Sequence, residues 1–376
     1  MGENKHIKLL VDGKNAFPEI LKCIDEAEKN IKINMFIWRA DEIGMKMAKA
    51  LIKAADRGVK IFISIDRYGV VLEKSEECMH SFFHENITLS EKVKILSLKL
   101  FYPSLHSKEK IKDIHMPLLR KMLSHPNIKV SRKVFKADHS KYYIFDEKIL
   151  IMGGINVEDK ENGKDIRGIT YQDYMIKLSG KDYVKAFKEK LENYKDSLEN
   201  IKFCLNIKKK DHNYFEIKNH YINLINSSEK YLTIVMAYFS PVEEITEAIL
   251  NAYNRGVKVT LMIPENANFQ NDSNKKTAYY LMKNTNNGIN TYFSSKMLHT
   301  KMIFNEKTIS FGSSNITKKA FNQLSEINFV LENGEEALRE ELMESVNENI
   351  RLSRKIKTYK KIPYNRFMAY LEGFLV

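Results

Sequence analysis

A histidine–lysine triplet in the first half of the chain carries the residue types that phosphoryl transfer requires. His139 and Lys141 are followed by a Gly-Gly-Ile-Asn tetrapeptide that contains Gly154 and ends at Asn156. We predict that the triplet lies on an apolar strand, where positions two apart share one face. An imidazole can attack phosphorus or protonate a leaving oxygen, while ammonium and amide groups neutralise the non-bridging oxygens. The glycines would let the backbone approach a bound phosphate.

The second half repeats this set with His299, Lys301 and Asn315, and Ser313 takes the place of Gly154. If a pseudo-twofold axis relates the halves, both sets converge at the seam on one phosphodiester. The alternative is that each set is only a surface hairpin with a satisfied histidine. A further His-x-Lys triplet at residues 106–108 has no glycine–asparagine tetrapeptide behind it, and we predict a solvated loop there.

Each imidazole would need a carboxylate to fix its tautomer and ring orientation. Asp173 follows Asn156, Glu326 follows Asn315, and both stand in or beside otherwise apolar strands. We predict that these two acids are the supporting partners of the histidines. The alternative for each is a charge at a strand edge that faces water.

The elements that would position these sets also recur. In both halves a helical pattern leads through Arg-Gly-Val-Lys, at residues 57–60 and 255–258, into an apolar strand, and another apolar strand precedes the helix. Glycine after the last helical turn is typical of a helix C-cap. Ser240 is predicted to cap the second helix, with Pro241 in its first turn. Strands alternating with helices predict an α/β fold of two similar lobes, each a mixed β-sheet flanked by helices.

The lobes are predicted to span residues 1–200 and 201–376, because the stretch from Glu199 to Asn213 is polar and rich in lysine. Residues 71–123, which include Phe82 and Phe83, have no counterpart in the second half. A lid or a substrate wall is the interpretation we give this stretch.

The composition of the chain narrows the classes of binding partner and the cellular compartment. The chain has 376 residues, 61 of them basic and 48 acidic, so its formal net charge is +13. This charge favours polyanions such as nucleic acids, anionic lipid surfaces and phosphorylated metabolites, although a merely solvated surface is the alternative. No run reaches the ~18 to 20 apolar residues of a membrane span, and the three separated cysteines suit a reducing compartment. We expect a cytoplasmic protein.

Together these motifs resemble the signature of the phospholipase D superfamily, which is His-x-Lys, four residues, Asp, six residues, Gly-Gly or Gly-Ser, one residue and Asn, once per lobe. The first copy fits in full, with Asp146 as the aspartate. The second copy departs from the signature, because counting forward from Lys301 puts Glu306 at the aspartate position, whereas counting back from Gly312 puts Asn305 there. In the family this aspartate is thought to support the fold.

The resemblance implies a covalent phosphohistidine mechanism. In much of the family the N-terminal copy supplies the nucleophile, which assigns attack to His139 and proton transfer to His299. The lysines would neutralise the charge that metal ions would otherwise neutralise, so the resemblance implies neither a metal nor another cofactor.

The layout of the chain is similar to the cardiolipin synthase and phospholipase D branch, which implies phosphodiester hydrolysis or phosphatidyl transfer on phospholipids. A nuclease or other phosphodiesterase of the superfamily is the alternative, and a catalytically silent lipid- or nucleic-acid-binding scaffold is a third hypothesis. Basic residues in 354–366 precede bulky apolar ones in 367–375. This tail predicts either peripheral contact with an anionic membrane or docking on its own core. We infer no obligate protein partner.

Overall fold

The computed structural model describes residues 6–75, 81–84, 86–102, 115–132, 134–163, 171–209 and 211–375. The chain divides into two compact units, Met1–Thr170 with Met175–Lys188, and Tyr171–Tyr174 with Glu189–Val376. The triplet at residues 106–108 lies outside the described residues.

From residue 6 to residue 193 the described elements follow one another in this order: β1 (His6–Val11), α1 (Asp12–Glu26), β2 (Asn30–Met35), α2 (Glu42–Asp56), β3 (Lys60–Ile65), α3 (Gly69–Ser75), α4 (Leu89–Phe101), α5 (Met116–Ser124), β4 (Ile128–Ser131), β5 (Tyr142–Phe145), β6 (Ile149–Gly153), β7 (Tyr171–Gln172), β8 (Tyr174–Ser179) and α6 (Lys181–Asn193).

The remaining described elements belong to the second unit: β9 (Ile201–Lys208), β10 (Asn213–Phe215), α7 (Ile217–Asn226), β11 (Tyr231–Met236), β12 (Phe239–Ser240), α8 (Glu243–Asn254), β13 (Lys258–Pro264), α9 (Asn271–Asn284), β14 (Asn290–Ser294), β15 (Met297–Leu298), β16 (Lys301–Asn305), β17 (Thr308–Gly312), β18 (Ile316–Thr317), α10 (Lys318–Asn322), β19 (Glu326–Glu332), α11 (Glu336–Leu352), β20 (Arg354–Ile356), a 3-10 turn (Tyr359–Lys361) and α12 (Arg366–Leu375).

Each unit contains one large mixed sheet, and the two sheets share a strand order. The first runs β1-β8-β6-β5-β2-β3-β4, and the second runs β9-β19-β17-β16-β11-β13-β14 with β10 and β20 added at its edges. In both sheets three parallel strands adjoin an antiparallel hairpin, which is β5–β6 in the first and β16–β17 in the second. The predicted α/β class with a duplicated mixed sheet is confirmed.

The Arg-Gly-Val-Lys repeats have a clear structural role. Gly58 and Gly256 adopt φ angles of 100° and 89°, in the left-handed region that ends a helix at low cost only with glycine. The Nη2 atom of Arg57 donates to carbonyls at the end of α1, Ile24 at 3.0 Å and Asp25 at 2.7 Å among them. Arg255, the arginine of the second repeat, donates in the same way to carbonyls at the end of α7. Each repeat therefore links the end of its own helix to the C-terminal carbonyls of the preceding helix, where the helix dipole is negative.

One detail of the sequence-based topology was wrong. Ser240 does not cap α8, because Phe239 and Ser240 pair in parallel with Ile316 and Thr317, and the helix begins only at Glu243. The polar stretch around residues 199–213 contains β9 and β10, which pair antiparallel at the edge of the second sheet, and the compact units divide between Lys188 and Glu189.

The sequence left open the roles of residues 71–123 and of the tail at 354–375, and the structure describes parts of both. Phe82 and Phe83 are buried against Trp38, with ring centroids 6.2 and 5.4 Å from the indole, so they belong to the first core. The C-terminal helix α12 docks on α9, where the backbone N–H of Ser273 donates to Glu372 at 2.7 Å. Among the described residues, no helix combines the length and apolarity needed to cross a bilayer.

Candidate active site

The first histidine set lies at the entrance to a hairpin. His139 and Lys141 precede β5 rather than lying on it, so strand alternation does not bring them together as predicted. The Lys141 Nζ atom instead turns back to the carbonyl oxygen of His139 at 2.5 Å. Phe36 presents its ring to both groups, with its centroid 4.7 Å from the imidazole and 5.3 Å from Nζ. The result is a buried ammonium beside a half-buried imidazole.

Two aspartates shape the loop that carries His139. Asp138 accepts hydrogen bonds from the backbone and hydroxyl of Ser140 at 3.0 and 2.5 Å and from Asn34 at 3.1 Å. Asp66 accepts from the backbone N–H groups of Asp138 and, at 3.1 Å, of Lys136. Burial raises the pKa of both carboxyls and outweighs these hydrogen bonds. The loop is therefore fixed at several points of its backbone.

Asn156 lies beyond the end of β6, at the other end of the hairpin from the turn. Its Nδ2 is 3.4 Å from the Glu158 carboxylate, which in turn accepts from Arg39 Nε at 2.7 Å and lies 3.3 Å from Lys160 Nζ. All four side chains are buried. Sequence analysis missed this network, although a charged residue two positions after the asparagine was a signal for it. Gly154, which lies between β6 and Asn156, is also buried.

The second set contains a compact group of three ionisable side chains. Lys301 begins β16, and its ammonium contacts the carbonyl oxygen of His299, as Lys141 does with His139. Asp173 Oδ2 lies 3.0 Å from His299 Nδ1 and 3.2 Å from Lys301 Nζ. All three side chains are buried, so the charges of Asp173 and Lys301 depend on each other for compensation.

A four-residue segment, 171–174, brings Asp173 into this group. Strand β7 pairs in parallel with β15, and the Gln172 carbonyl accepts from the His299 backbone at 2.8 Å and from Thr300 Oγ1 at 3.0 Å. The Tyr171 ring lies 6.0 Å from the imidazole. Asp173 follows the first asparagine in the sequence, yet the structure places it beside the second histidine.

Glu326 holds the equivalent position in the second sheet. Gly153 pairs with Met175 in the first sheet and Gly312 pairs with Asn328 in the second, so Asp173 and Glu326 each lie two residues before the partner of a hairpin glycine. Glu326 is fully buried, and its carboxylate accepts from the Ser313 hydroxyl at 2.5 Å. The same hydroxyl accepts from the Ile327 backbone at 2.9 Å, so Ser313 holds Glu326 in place.

Asn315 is oriented by a single described bond of its amide. Its Oδ1 accepts from the Tyr238 backbone at 3.3 Å. The preceding residues are held by Asn328, which accepts from the Ser314 backbone at 3.2 Å and donates to the Tyr221 hydroxyl at 2.7 Å. The contact with Tyr238 fixes the orientation of the amide, and its Nδ2 is the atom that can donate to an anion.

The two copies fill the aspartate position of the signature in different ways. The Asp146 carboxylate accepts from three successive backbone N–H groups, those of residues 28, 29 and 30, at 2.8–2.9 Å. In the second copy Glu306 accepts from residues 229, 230 and 231 at 2.9–3.4 Å. Asn305 closes the turn itself by accepting from Lys307 and Thr308. Glu306 is thus the structural counterpart of Asp146, and both anchor a hairpin turn to the start of a neighbouring strand.

We predict that Asp146→Asn lowers the free energy of unfolding without changing catalysis. Partial burial alone would raise the pKa of Asp146, but the hydrogen bonds from Glu28, Asn30 and Lys29 hold it below its ordinary value. Losing these charge-assisted bonds should cost about 1–2 kcal/mol near neutral pH. Because a lowered pKa stabilises the fold only above the unfolded value, the difference should shrink as the pH falls below about 4.

Urea unfolding of the two proteins at neutral and acidic pH measures this effect, and Glu306→Gln provides the matched variant in the second copy. Equal stability of the Asp146→Asn variant and the unchanged protein at neutral pH would contradict the assigned role.

The chain is similar to known proteins in sequence and in structure. A family model described as "Cardiolipin synthase, PLD-like domain" matches residues 20–195 and 221–349. The cardiolipin synthase of Clostridium perfringens (strain SM101 / Type A) is 26% identical over 380 residues, which cover 94% of this chain and 72% of that protein. Cardiolipin synthase B of Salmonella typhi is 22% identical over 351 residues, which cover 88% of this chain and 77% of that protein.

A solved structure supports the fold. The phosphatidylserine synthase of Haemophilus influenzae Rd KW20 superposes with a TM-score of 0.71 at 11% sequence identity. The superposition covers 97% of this chain and 91% of that one. At this identity the likeness is evidence for the architecture alone.

Proposed function

The chain belongs to the phospholipase D superfamily, in its cardiolipin synthase branch, and on this premise we propose that it transfers phosphatidyl groups between phospholipids. Both histidine sets act on one phosphodiester. The observation that carries the proposal is the buried group of His299, Lys301 and Asp173, because it combines a proton-transfer residue, a cation for the phosphate and an acid that orients both.

The first step forms a covalent intermediate. A nitrogen of neutral His139 attacks phosphorus, a phosphorus–nitrogen bond forms, and the bond from phosphorus to the headgroup oxygen breaks. His299 gives its proton to the departing oxygen, so the headgroup leaves as an alcohol. Lys141, Lys301 and the two asparagine amides stabilise the charge on the non-bridging oxygens.

The second step reverses these roles. Neutral His299 removes a proton from the acceptor hydroxyl, whose oxygen attacks phosphorus and displaces His139. An alcohol as acceptor gives a new phosphatidyl ester, and water gives phosphatidic acid. The reaction balances without a redox partner or a metal ion.

Asp173 supports the proton-transfer role of His299. A carboxylate 3.0 Å from Nδ1 favours the tautomer with its proton on Nδ1 and stabilises the imidazolium, so Nε2 is the atom that exchanges protons with substrate. Because Glu326 holds the equivalent sheet position, we assign it the corresponding supporting role for His139.

The donor and acceptor most consistent with the branch are both phosphatidylglycerol. Cardiolipin consists of two phosphatidyl groups joined by one glycerol, so transfer from one phosphatidylglycerol to the glycerol hydroxyl of another gives cardiolipin and releases glycerol. The same chemistry with water would make the protein a phospholipase.

A product assay tests this proposal. The purified protein is incubated with phosphatidylglycerol vesicles, and the lipids are separated by mass spectrometry. We expect cardiolipin and glycerol in equal amounts, and neither product with His139→Asn. Parallel incubations with single- and double-stranded DNA and RNA test the nuclease alternative, which the net charge of +13 also suits. Cleavage of nucleic acid without any lipid product would overturn the proposed function.

A further inference from the structure

Helix α4 exposes a row of large apolar side chains along its whole length. Leu89 is 79% exposed, Val93 and Leu96 are each 59% exposed, and Leu100 is 74% exposed. Successive members of this row are three or four residues apart, which puts all four on one face of the helix. We call these four residues the α4 stripe. An exposed apolar row of this kind marks an interaction surface more often than a solvated one.

Helix α4 belongs to an addition that the sheet does not require. In the second unit α9 is the one described helix between parallel strands β13 and β14, whereas the described part of the first unit has α3, α4 and α5 between β3 and β4. The opposite face of α4 already packs, because Ile95 and Leu98 cover Val70 and Val71 of α3. The α4 stripe is therefore a second apolar face beyond what this packing uses.

The helix is held firmly at its start. Thr88 and Glu91 form a reciprocal capping box, and Arg67 binds the Glu91 carboxylate with two bonds of 2.7 and 2.9 Å. Partial burial raises the pKa of Glu91, but the bonds from Arg67 and Thr88 outweigh it and lower the pKa. The α4 stripe is thus presented by an anchored helix.

The charges around the α4 stripe suit an anionic surface. Lys92 and Lys94 are exposed on the same helix, and the acid of this segment, Glu91, is neutralised by Arg67. Lys94 Nζ also lies 5.5 Å from the centre of the Phe135 ring, which is 52% exposed. Leucine and valine beside lysine are typical of a helix that lies flat in a lipid interface. The apolar side chains and the lysine methylenes then lie among acyl chains, and the ammonium groups lie at headgroup phosphates.

Ring contacts connect this surface to the first histidine set. The Phe135 ring lies 5.2 Å from Tyr68, Tyr68 lies 6.0 Å from Phe36, and Phe36 lies 4.7 Å from His139. Arg67 also donates from its backbone to the Val134 carbonyl at 3.2 Å, next to the loop that Asp66 fixes. The exposed Phe135 ring is therefore linked by packed aromatic rings to the loop that carries His139.

We propose that the α4 stripe, extended by Val134 and Phe135, docks the protein on the surface of an anionic phospholipid bilayer and delivers lipid to His139. This inference rests on the proposed function, since it names how the active site reaches a substrate that stays in a membrane. A second copy of the chain and a protein partner are the competing occupants, and the test below separates them from a bilayer.

The test uses the full chain with Val93→Glu and Leu96→Glu combined. Leu352→Glu is the matched control, because Leu352 is an exposed leucine at 65% on another helix, outside the α4 stripe. Co-sedimentation is measured with vesicles of equimolar phosphatidylglycerol and phosphatidylcholine, and with phosphatidylcholine alone. Turnover is measured on the mixed vesicles and on short-chain phosphatidylglycerol kept below its micelle concentration.

We expect the double variant to bind mixed vesicles at least about tenfold more weakly, and its vesicle-to-monomer activity ratio to fall by a similar factor. Leu352→Glu should change neither quantity. A Lys92→Gln and Lys94→Gln variant should lose most of the preference for phosphatidylglycerol over phosphatidylcholine vesicles.

Three results would overturn the inference. One is unchanged vesicle binding by the double variant. Another is a dimer in lipid-free buffer that the double variant converts to a monomer, because the α4 stripe would then be an interface between copies. The last is an equal loss of turnover on vesicles and on monomeric lipid. Failure of the proposed function looks different, because the protein would then bind vesicles through the α4 stripe and turn over neither form of lipid.

Discussion

Replacing His139 with asparagine should reduce phosphatidyl transfer by about 10⁵-fold or more, because the variant has no nucleophile and cannot form the covalent intermediate. Asparagine keeps a similar volume and polarity, so the contact with Phe36 should survive in part. Initial rates of cardiolipin formation from phosphatidylglycerol measure the effect, and thermal unfolding shows whether the variant is folded.

His125→Asn is the matched control for this loss. His125 is a largely buried histidine of the first unit that lies 3.1 Å from Asp56 and takes no part in either set. We expect its rate to stay within a factor of about two of the unchanged protein, since substitutions away from special features have small effects. A His139→Asn variant that keeps a tenth of normal turnover would refute the nucleophile assignment.

The next largest effect is expected for Asp173→Asn, which should lower kcat by about 10³-fold while changing KM little. An amide at this position can donate to Nδ1 and favour the tautomer that leaves Nε2 protonated, which is the wrong form to accept a proton from the acceptor alcohol. The substitution also removes the anion that lies 3.2 Å from buried Lys301.

The pH dependence separates this role from simple damage to the fold. Because a neighbouring carboxylate favours the imidazolium, its loss should move the alkaline limb of the kcat profile to lower pH. Asp173→Glu should recover part of the activity and of the profile. A uniform fall in kcat with an unshifted profile, together with a lower melting temperature, would show that Asp173 acts only on stability.

Much of the fold could be predicted because the chain repeats itself. The Arg-Gly-Val-Lys turns and the apolar runs around them are local signals, and each appears twice with the same neighbours. Edge strands are predicted less well from such local signals than the repeated elements are. The stretch near residue 205 looks like a polar connection, but residues 203–206 are all buried where it pairs with β19. Ser240 has the chemistry of a cap, yet strand pairing with β18 prevails.

The pairing of the acids with the histidines could not be deduced from order in the sequence. Asp173 comes soon after Asn156, and only the pairing of β7 with β15 shows that it lies beside His299. Counting also left open which residue, Asn305 or Glu306, replaces the signature aspartate. In the structure the two side chains have separate roles. Asn305 closes the turn, and Glu306 accepts hydrogen bonds from three backbone N–H groups.

The burial of residues in the addition between β3 and β4 could not be predicted from the sequence. The repeat shows that this addition has no counterpart in the second half, but it does not show which of its apolar side chains are buried. Phe82 and Phe83 belong to the core, whereas the less bulky Val93 and Leu96 are exposed. All four residues are apolar, so hydrophobicity alone does not separate the buried pair from the exposed pair, and the proposed membrane surface emerged only from the packing of α4.

The identity of the phosphorylated residue can be determined by trapping the covalent intermediate. A phosphatidyl ester of p-nitrophenol, labelled at phosphorus, supplies a leaving group that needs no proton, so a variant without its acid can still form the intermediate. The protein with His299→Asn is mixed with this substrate, quenched and mapped by mass spectrometry. We expect one burst of p-nitrophenol per active site, a stable label on His139, and no label when His139 is also replaced. Rapid loss of the label in the His299→Asn variant, or a label on any other residue, would refute the proposal that histidines from both halves act on one phosphorus atom.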